Sequence, residues 1–551
     1  MARPRVYIEE DFPVEVLGIE SRRERGASSA LPPLYFLHVW WARRPLTISR
    51  AAILGSLLPA HTESKWFLEM IGIKGDPVET FAKIQAARLT GEDLGTNPYG
   101  YKRAFTEPIP TDNAQEISKR LQAFWRSDDI RILDPMAGGG SIPFEGIRLG
   151  LNVMANDLNP VAYVIEQATL SYPQVFGVGL VNSIKKYARQ LQERVASRTE
   201  GIFAENPNER VWAYLWAHTA TCPLCALEVP LSPNWWLANT AKQKMGVKWT
   251  VGEGHKMVPH VVDLTKESFD PEQGTVKKGA GVCPRCHNVF DGEVIKQQAQ
   301  KTGLGLQLYA LAIKAQGGLD FRVPTPDDEK ALLNAQNLLN LRLSVWEQQG
   351  WVPNEAIPNG TKTREALRNG YRQWSDLFAP RQLLSLLTYL EAFHEIKSEV
   401  VANHSFEEAR AILTYLALAF DKTCDYNSRM TRWHASRTVI AGTFDRHDYS
   451  FKWSFAEMNL TANGLGFDWA VDQVIDAYEG LCKLLGVGPN LEWVEHETKP
   501  PTVRLGSATD LYDVATGSVH AVVVDPPYYD NVMYAEMADF FYVACFVESE
   551  C

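Results

Sequence analysis

The sequence predicts an α/β protein whose main sheet is divided along the chain by a long insertion. In residues 131–157 a strand, a glycine-rich turn, a helix and a second strand follow one another, in RILDPMAGGGS, IPFEGIRLGL and NVMANDLNP. Further strands and turns follow in residues 490–535, in LEWVEHE, VRLGSATDL and HAVVVDPPYY. Strands that alternate with helices usually lie parallel in one sheet, so the two stretches predict one sheet flanked by helices.

The composition is that of a globular protein with a large core. The chain has 551 residues, of which 45% are hydrophobic and 22% are charged. Its formal net charge of −11 argues against a histone-like binder, but it allows an enzyme with a local basic groove. The N-terminus MARPRVYIEEDF has no signal-peptide core, and no apolar run reaches membrane-spanning length. We therefore expect a cytoplasmic protein.

Composition and periodicity divide the chain into successive regions. Helical periodicity is clear in PRQLLSLLTYLEAFHEI, and a charged amphipathic helix is predicted over residues 180–200. The predicted regions are an N-terminal flank, 1–113; the first part of the sheet domain, 114–200; a small cysteine-rich metal module, 201–295; a mostly helical insertion, 296–489; and the second part of the sheet domain, 490–551.

Three consecutive glycines, Gly138 to Gly140, stand where the first strand turns into a helix. Glycine lets the backbone approach a ligand closely and exposes the N–H groups at the start of the helix. The next strand ends at Asp157, whose carboxylate can accept both hydroxyl groups of a ribose. No Lys-Ser or Lys-Thr follows the glycines, which argues against a P-loop. The pair predicts a nucleotide-like ligand, and the alternative is a tight turn without function.

The sequence Asp525-Pro526-Pro527-Tyr528 follows the last predicted strand. The Asp525 carboxylate and the Pro526 carbonyl could accept the two hydrogens of an amine on a flat ring, because the prolines fix the backbone. The Tyr528 ring could stack on that ring, which is worth about 1–3 kcal/mol. A base must leave its helix to reach such a pocket. The alternative is a proline-rich strand exit with a tyrosine that only packs.

Two Cys-Pro-x-Cys turns, Cys222–Cys225 and Cys283–Cys286, predict a metal site. Each turn can direct two thiolates at one tetrahedral ion, and four thiolates complete the shell of a structural zinc ion. The alternatives are two unrelated reduced pairs or a redox pair. Because no coordination position stays open, we do not expect a catalytic zinc.

The stretch WWARRP combines rings and guanidinium groups at Trp41, Arg43 and Arg44. These residues, together with Trp40, could form a lip of the cofactor groove or of a nucleic-acid groove, since rings stack on bases and arginines bind phosphates. The alternative is a tryptophan in the core next to two surface arginines.

These strings together resemble the bacterial and archaeal adenine-specific DNA methylases that contain a zinc ribbon. DPMAGGGS is similar to the S-adenosylmethionine motif of amino-methyltransferases, with Met136 where phenylalanine is usual, and DPPY is similar to their catalytic motif. HVWWARRP, NDLNPVA, FAPRQLLSL, DYNSRMTRWH and DPPYYDNVMYAEMADFFY extend the resemblance over nearly the whole chain. The resemblance implies a Rossmann-like class I methyltransferase sheet, methylation of N6 of a flipped adenine in DNA, and a setting in restriction or phage defence.

The resemblance also implies roles for single residues. The catalytic residues would be Asp525, Pro526, Pro527 and Tyr528, and the zinc ligands Cys222, Cys225, Cys283 and Cys286. The residues that would bind S-adenosylmethionine are Asp134, Met136, Gly138, Gly139, Gly140, Asp157, Ser507 and Ala508. A serine stands at position 507, where an acid is common in the family.

The chain ends at Cys551, before the further strands that such a sheet needs. We therefore expect a C-terminally truncated member, and a missing C-terminal segment or a partner subunit could complete the enzyme. Other readings of the same residues are an RNA methyltransferase that acts on an exocyclic amine, and a zinc-bearing DNA-binding subunit without catalytic activity.

Overall fold

Helices and strands alternate along the chain as in a mixed α/β protein. The structure, a computed structural model, describes residues 4–26, 30–204, 206, 209–315, 318–487, 500–529 and 531–544. Its helices are α1 (Val14–Arg25), α2 (Leu34–Leu37), α3 (Leu46–Leu57), α4 (Ser64–Met70), α5 (Pro77–Thr90), α6 (Thr111–Trp125), α7 (Ser141–Arg148), α8 (Pro160–Glu166), α9 (Tyr172–Phe176), α10 (Leu180–Arg198), α11 (Gly292–Thr302), α12 (Pro326–Gln348), α13 (Arg364–Arg368), α14 (Pro380–Asn403), α15 (Phe406–Asp425), α16 (Gly466–Leu485) and α17 (Tyr534–Asp539). Its strands are β1 (Arg131–Asp134), β2 (Asn152–Asp157), β3 (Arg210–Thr221), β4 (Glu228–Leu231), β5 (Trp236–Asn239), β6 (Lys244–Val251), β7 (Met257–Asp263), β8 (Val276–Lys277), β9 (Ala280–Val282), β10 (Val289–Phe290), β11 (Gly305–Ala315), β12 (Gly318–Arg322), β13 (Arg432–His434), β14 (Val439–Ala441), β15 (Ser454–Met458), β16 (Thr502–Leu505) and β17 (Ala521–Val522).

A parallel sheet joins strands from before and after the insertion. Its order is β16–β2–β1–β17, and Ile132 pairs with both Val153 and Ala521. Because the strands run the same way, their carboxyl ends share one edge, where ligands bind in open α/β sheets. In the described residues this sheet has four strands. The strand expected in LEWVEHE falls within 488–499, outside the described residues.

Hydrogen bonds and ion pairs of buried charged side chains connect the N-terminal helices to the sheet domain. The Glu24 carboxylate accepts hydrogen bonds from the N–H groups of Leu46 (2.7 Å) and Thr47 (3.1 Å), at the start of α3. Arg50, on α3, donates from Nε to Glu145 on α7 at 2.6 Å, and both side chains are buried. Removing one partner of a buried ion pair costs about 3–5 kcal/mol, so these contacts fix the position of the N-terminal segment.

An antiparallel sheet forms the centre of the insertion. Its order is β12–β11–β3–β15, with β4 on β3, so it crosses the expected boundary at residue 295. The region expected to be mostly helical thus also contributes strands. The run Gly305–Ala315 is apolar almost throughout, and periodicity alone cannot separate a buried strand from a buried helix in such a run.

Long helices cover one face of this second sheet. The predicted helix over 180–200 is α10, and it packs on α14 and α15. Arg381 on α14 makes two hydrogen bonds with the Glu457 carboxylate, at 2.8 and 2.7 Å, and both side chains are buried. Among the described residues, we find no helix with both the length and the apolarity to cross a bilayer.

Candidate active site

A cavity of about 600 Å³ opens at the carboxyl edge of the parallel sheet. The turns after β1, β2, β16 and β17 form its wall, together with the loop before α3 and helix α17. The predicted residues on this wall are Asp134, Met136, Gly138, Gly139, Asp157, Ser507, Ala508, Asp525, Pro527 and Arg44. Gly140 lies at the start of α7, while Pro526, Tyr528, Trp41 and Arg43 line a smaller adjoining cavity. The glycine turn and the Asp525 turn therefore face one space.

The glycine turn leaves no room for larger residues. Gly138 has a φ of 55°, in the left-handed region, and a Cβ atom there would lie 2.6 Å from Nε1 of Trp40. Its N–H donates to Oδ2 of Asp157 at 2.9 Å, and the N–H of Asn159 donates to Oδ1 at 2.8 Å. The Asp157 carboxylate is thus fixed beside the turn, with lone pairs left for a ligand.

Asp134 is a buried acid at the end of β1. Only 2% of its surface is exposed, and its Oδ1 accepts the N–H of Met136 at 3.2 Å. Burial, and to a lesser degree the charge of Asp157, raises the pKa of Asp134 to about 7. A cation in the cavity would favour the ionised forms of both acids, so the site favours a positively charged ligand.

Asn156 ties two of the turns together. Its buried Nδ2 donates to the carbonyl oxygens of Pro135 and Gly506, both at 2.9 Å. These bonds join the turn after β1 to the turn after β16. They hold Ser507 and Ala508 on the wall that also carries the glycine turn.

The Asp525 carboxylate is engaged on both oxygens. Its Oδ2 forms an ion pair with Nε of Arg44, and its Oδ1 accepts a hydrogen bond from the Tyr528 hydroxyl at 2.7 Å. Each carboxylate oxygen has a second lone pair, so a further donor can bind beside these two. The carboxylate therefore has a fixed direction and is still able to accept an N–H group.

Trp40 connects the two sides of the cavity. Its ring contacts the glycine turn at Gly138 and Gly139, and it stacks on Tyr534 with 5.6 Å between centroids and 25° between planes. Tyr534 is the first residue of α17, just after the Asp525 turn. A single indole thus sets the distance between the two turns.

Trp41 and Arg43 brace the site from behind. Both are buried, and Trp41 packs edge-on against Phe444. Arg43 donates to the carbonyl oxygens of Gly139 (3.1 Å) and His38 (2.9 Å), and burial lowers its pKa to about 10. Direct stacking or ion pairing with a strand does not fit this placement, because only 6% of Trp41 and 5% of Arg43 is exposed, at the wall of the smaller cavity. The distant residues Phe444 and Phe541 pack on Trp41 and contribute to its burial.

Helix α17 is held by a cluster of backbone donors. The Glu536 carboxylate accepts the N–H groups of Thr361 (3.0 Å), Lys362 (2.7 Å) and Thr363 (3.3 Å), just before α13. The Tyr449 hydroxyl donates to the Glu536 carbonyl at 2.7 Å. The insertion therefore positions the helix that follows the Asp525 turn.

A hidden acid, Glu166, lies behind the glycine turn. It is fully buried, and neither carboxylate oxygen has a hydrogen-bond partner among the described residues. Burial first, and then the charges of Asp157 and Asp134, raises the pKa of Glu166 well above its ordinary value. A π-helical turn, Gln167–Ser171, follows it. Such turns are frequent at functional sites.

The four predicted cysteines meet in one cluster. Their Sγ atoms all lie within 4.8 Å of one another, with 3.7 Å between Cys222 and Cys286 and 3.5 Å between Cys225 and Cys283. A tetrahedral zinc ion with bonds of about 2.3 Å separates its sulfur ligands by about 3.8 Å. These four cysteines could hold a metal ion.

The two cysteine turns have the same geometry. The N–H of Ala226 donates to the Cys222 carbonyl, and the N–H of His287 donates to the Cys283 carbonyl, both at 3.0 Å. Ala226 and His287 also share a left-handed φ, 58° and 57°. The repeated turn presents each cysteine pair to the same point, and His287 serves as a turn residue.

The sequence did not assign Asn156, Glu166 and Tyr534 to the site, and it indicated Trp40 only as part of the WWARRP stretch. Trp40 and Asn156 stand in strings already singled out, directly beside predicted residues, and this adjacency was the available signal. Tyr534 follows the double proline closely. Glu166 gives no signal in the sequence, because an acid on a helix is usually exposed.

Comparison with known proteins gives one match. Residues 11–72 match a family described as a protein of unknown function, DUF1156. No curated protein and no solved structure matches the chain. The matched segment includes Trp40 and Arg44, which line the main cavity.

Proposed function

We propose that this protein is a Rossmann-like methyltransferase that uses S-adenosylmethionine to methylate N6 of adenine in DNA. The observation that carries the proposal is the single cavity shared by the glycine turn and the Asp525 turn. Methyl transfer requires the reacting atoms to approach to about 3–3.5 Å in a fixed orientation. A cavity with residues suited to a cofactor on one side and acceptors for an amine on the other fits this requirement.

The residues around the glycine turn fit S-adenosylmethionine in shape and charge. Gly138 lets the turn adopt a left-handed φ directly against Trp40, and Asp157 offers carboxylate oxygens to a ribose. Asp134, with its pKa raised to about 7, ionises more readily when a cation is bound. When bound, S-adenosylmethionine supplies an electrophilic methyl group on a positively charged sulfur.

The Asp525 turn suits the exocyclic amine of a base. Asp525 can accept one N–H group, and the Pro526 carbonyl can accept the other, which raises the electron density on nitrogen. Tyr528 is 61% exposed, so its ring is available to stack on the base. The resemblance to amino-methyltransferases favours N6 of adenine, because the first residue of the motif is an aspartate.

Product analysis tests the proposal. The purified protein is incubated with tritium-labelled S-adenosylmethionine and either DNA or RNA, and the nucleosides are separated after digestion. We expect N6-methyladenine in DNA. Asp525→Asn should lower the rate by about 100-fold or more, as removal of one stabilising polar group does in other enzymes. The matched control is Asp513→Asn, since Asp513 also pairs with an arginine, Arg504, at 2.8 Å.

Other outcomes contradict particular parts of the proposal. Methylated adenine in RNA alone would favour an RNA methyltransferase, and N4-methylcytosine would contradict the assignment of adenine. If calorimetry detects no binding of S-adenosylmethionine, a DNA-binding subunit without catalytic activity becomes the better reading.

We also propose that the cysteine cluster holds a structural zinc ion. Four sulfur ligands complete a tetrahedral shell and leave no position for a substrate. Elemental analysis should find one zinc ion per chain, and Cys283→Ser should lose it and lower the melting temperature. Cys482→Ser, which changes a buried cysteine outside the cluster, should keep the zinc. Zinc retained in Cys283→Ser would contradict the assignment.

A further inference from the structure

A smaller cavity of about 250 Å³ adjoins the main one. The two share Trp40, Ala42, Arg44, Pro527 and Tyr534 in their walls. The end of α1, at Arg25, and the residues just before α3 form another part of the smaller cavity. Because both cavities reach the Asp525 turn, a molecule bound there could extend from one into the other.

Arginines dominate the charge of this smaller cavity. Arg25, Arg43 and Arg44 line it, and among the described residues no carboxylate does. Arg43 is bound to carbonyl oxygens and Arg44 to Asp525, whereas Arg25 has no ion-pair partner in the described part of the chain. Glu24, next to Arg25, is turned inward and caps α3. In a chain with a net charge of −11, this local positive field suits an anion.

Aromatic rings share the same wall. Tyr35, Trp40, Tyr528 and Tyr534 line the smaller cavity, and the guanidinium carbon of Arg44 lies 5.8 Å from the centre of the Tyr528 ring. Rings beside guanidinium groups are the combination that binds a single nucleic-acid strand, with bases on the rings and phosphates on the arginines. A free base or a peptide amine carries no phosphate and would leave the arginines of the smaller cavity without an anionic partner.

We propose that the smaller cavity binds the sugar–phosphate part of the target nucleotide, with Arg25 on the phosphate, while the base reaches Asp525. The inference rests on the proposed methyl transfer to a base. It specifies that the substrate is a nucleotide within a strand and not a free nucleoside. It also gives a role to the matched segment, residues 11–72, which carries Arg25, Tyr35, Trp40 and Arg44.

Binding of a strand tests this inference without any methyl transfer. A fluorescein-labelled single-stranded oligodeoxynucleotide containing adenine is titrated with protein at several salt concentrations, and anisotropy is measured. Arg25→Gln should weaken binding about tenfold, since a charge-assisted hydrogen bond is lost. The slope of log K against log salt should fall by about 0.7, the value for one phosphate contact on a single strand.

A matched control separates this contact from the loss of any positive charge. Arg88→Gln makes the same change in the last turn of another helix, α5, outside both cavities. It should leave affinity and salt slope unchanged. Arg25→Lys keeps the charge and should restore most of the affinity, and thermal melting confirms that each variant is folded. Wild-type affinity and slope in Arg25→Gln, or equal losses in Arg25→Gln and Arg88→Gln, would overturn the inference.

The experiment distinguishes a failure of this inference from a failure of the proposed function. If Arg25→Gln weakens strand binding while the wild-type protein transfers no methyl group, the phosphate contact is supported and the proposed function fails. If the wild-type protein methylates DNA and Arg25→Gln binds the strand normally, the proposed function is supported and this inference fails.

Discussion

The two sides of the main cavity differ in how firmly they are held. On the glycine side Asp134 is 2% exposed, and Gly138 is enclosed by Trp40 and bound to Asp157. On the other side Tyr528, in the Asp525 turn, is 61% exposed. The acid and the glycine turn of the first side are buried, whereas the aromatic ring of the second side is open to solvent.

This difference suits two separate functions, cofactor binding on the buried side and substrate binding on the exposed side. A small cofactor of constant shape can use a rigid, preformed pocket, because rigidity lowers the entropy cost of binding. A nucleotide that must leave a helix needs an open approach. Changes on the buried side should therefore alter stability and cofactor affinity, whereas changes on the exposed side should alter turnover.

The largest effect should come from Asp134→Asn. The pKa of Asp134 is raised from 3.8 to about 7, so the folded protein loses stability as pH rises from about 4 to about 7. Asparagine cannot ionise and should be more stable by about 4 kcal/mol at pH 8, at about 1.4 kcal/mol per pKa unit. At pH 4.5 the gain should shrink to about 1 kcal/mol. Denaturant unfolding of both proteins without cofactor, at pH 4.5 and at pH 8, measures these two differences in the free energy of unfolding.

The control for this pH dependence is Asp513→Asn, which changes a more exposed carboxylate paired with Arg504. It measures the effect of the same exchange at a carboxylate outside the main cavity. A gain in Asp134→Asn that is as large at pH 4.5 as at pH 8 would show that ionisation of Asp134 is not its cause.

The next effect concerns cofactor affinity. In Gly138→Ala, the left-handed φ adds about 1–2 kcal/mol of strain, and the new Cβ atom must displace Trp40. We expect S-adenosylmethionine to bind about 100-fold more weakly in calorimetry. Gly150→Ala is the matched control, because Gly150 has a φ of 74° but no heavy atom within 4 Å of an added Cβ. If the affinity for S-adenosylmethionine falls equally in Gly138→Ala and Gly150→Ala, backbone strain alone would account for the loss, without the clash with Trp40.

Most of the residues of the candidate site could be predicted from short local sequence motifs. The glycine turn, the Asp525 turn and the cysteine pairs each lie within one short stretch, where spacing and chemistry can be read together. Strand pairing then joins the first two stretches, since β1 lies between β2 and β17. The predicted α/β class is confirmed, since the alternating strands and helices of these stretches can also be recognised locally.

Residues that act through distant contacts could not be predicted. The sequence predicts that the Trp41 ring could stack on a base, but in the structure Phe444 packs on it. The sequence likewise allows Arg43 to be a surface cation, but in the structure it is buried and donates a hydrogen bond to the Gly139 carbonyl oxygen. Glu536, which no sequence motif indicates, accepts hydrogen bonds from three N–H groups before α13. Each outcome depends on a partner on another part of the chain, and a single sequence does not show such pairings.

A smaller effect is expected at Glu536, which holds α17 on the open side. Glu536→Gln removes the charge from three N–H contacts, at Thr361, Lys362 and Thr363, and each bond to a charged group is worth about 1.5–3 kcal/mol at most. We expect a methylation rate about tenfold lower, with cofactor affinity unchanged within twofold. Glu347→Gln, at an exposed position on α12, is the control. A loss of cofactor affinity would show that the two sides are not independent.

The smallest effect is expected from Tyr528→Phe. The hydroxyl donates to Asp525, but Arg44 still holds that carboxylate, and the phenyl ring can still stack on a base. We therefore expect a turnover rate within about threefold of wild type, since one of two donors to a partly exposed group contributes about 0.5–1 kcal/mol. Tyr529→Phe, at a ring that is 97% exposed, should change nothing and serves as control. A loss of about 30-fold or more in Tyr528→Phe alone would mean that the hydroxyl itself takes part in the reaction, and that the exposed turn is as strictly arranged as the buried one.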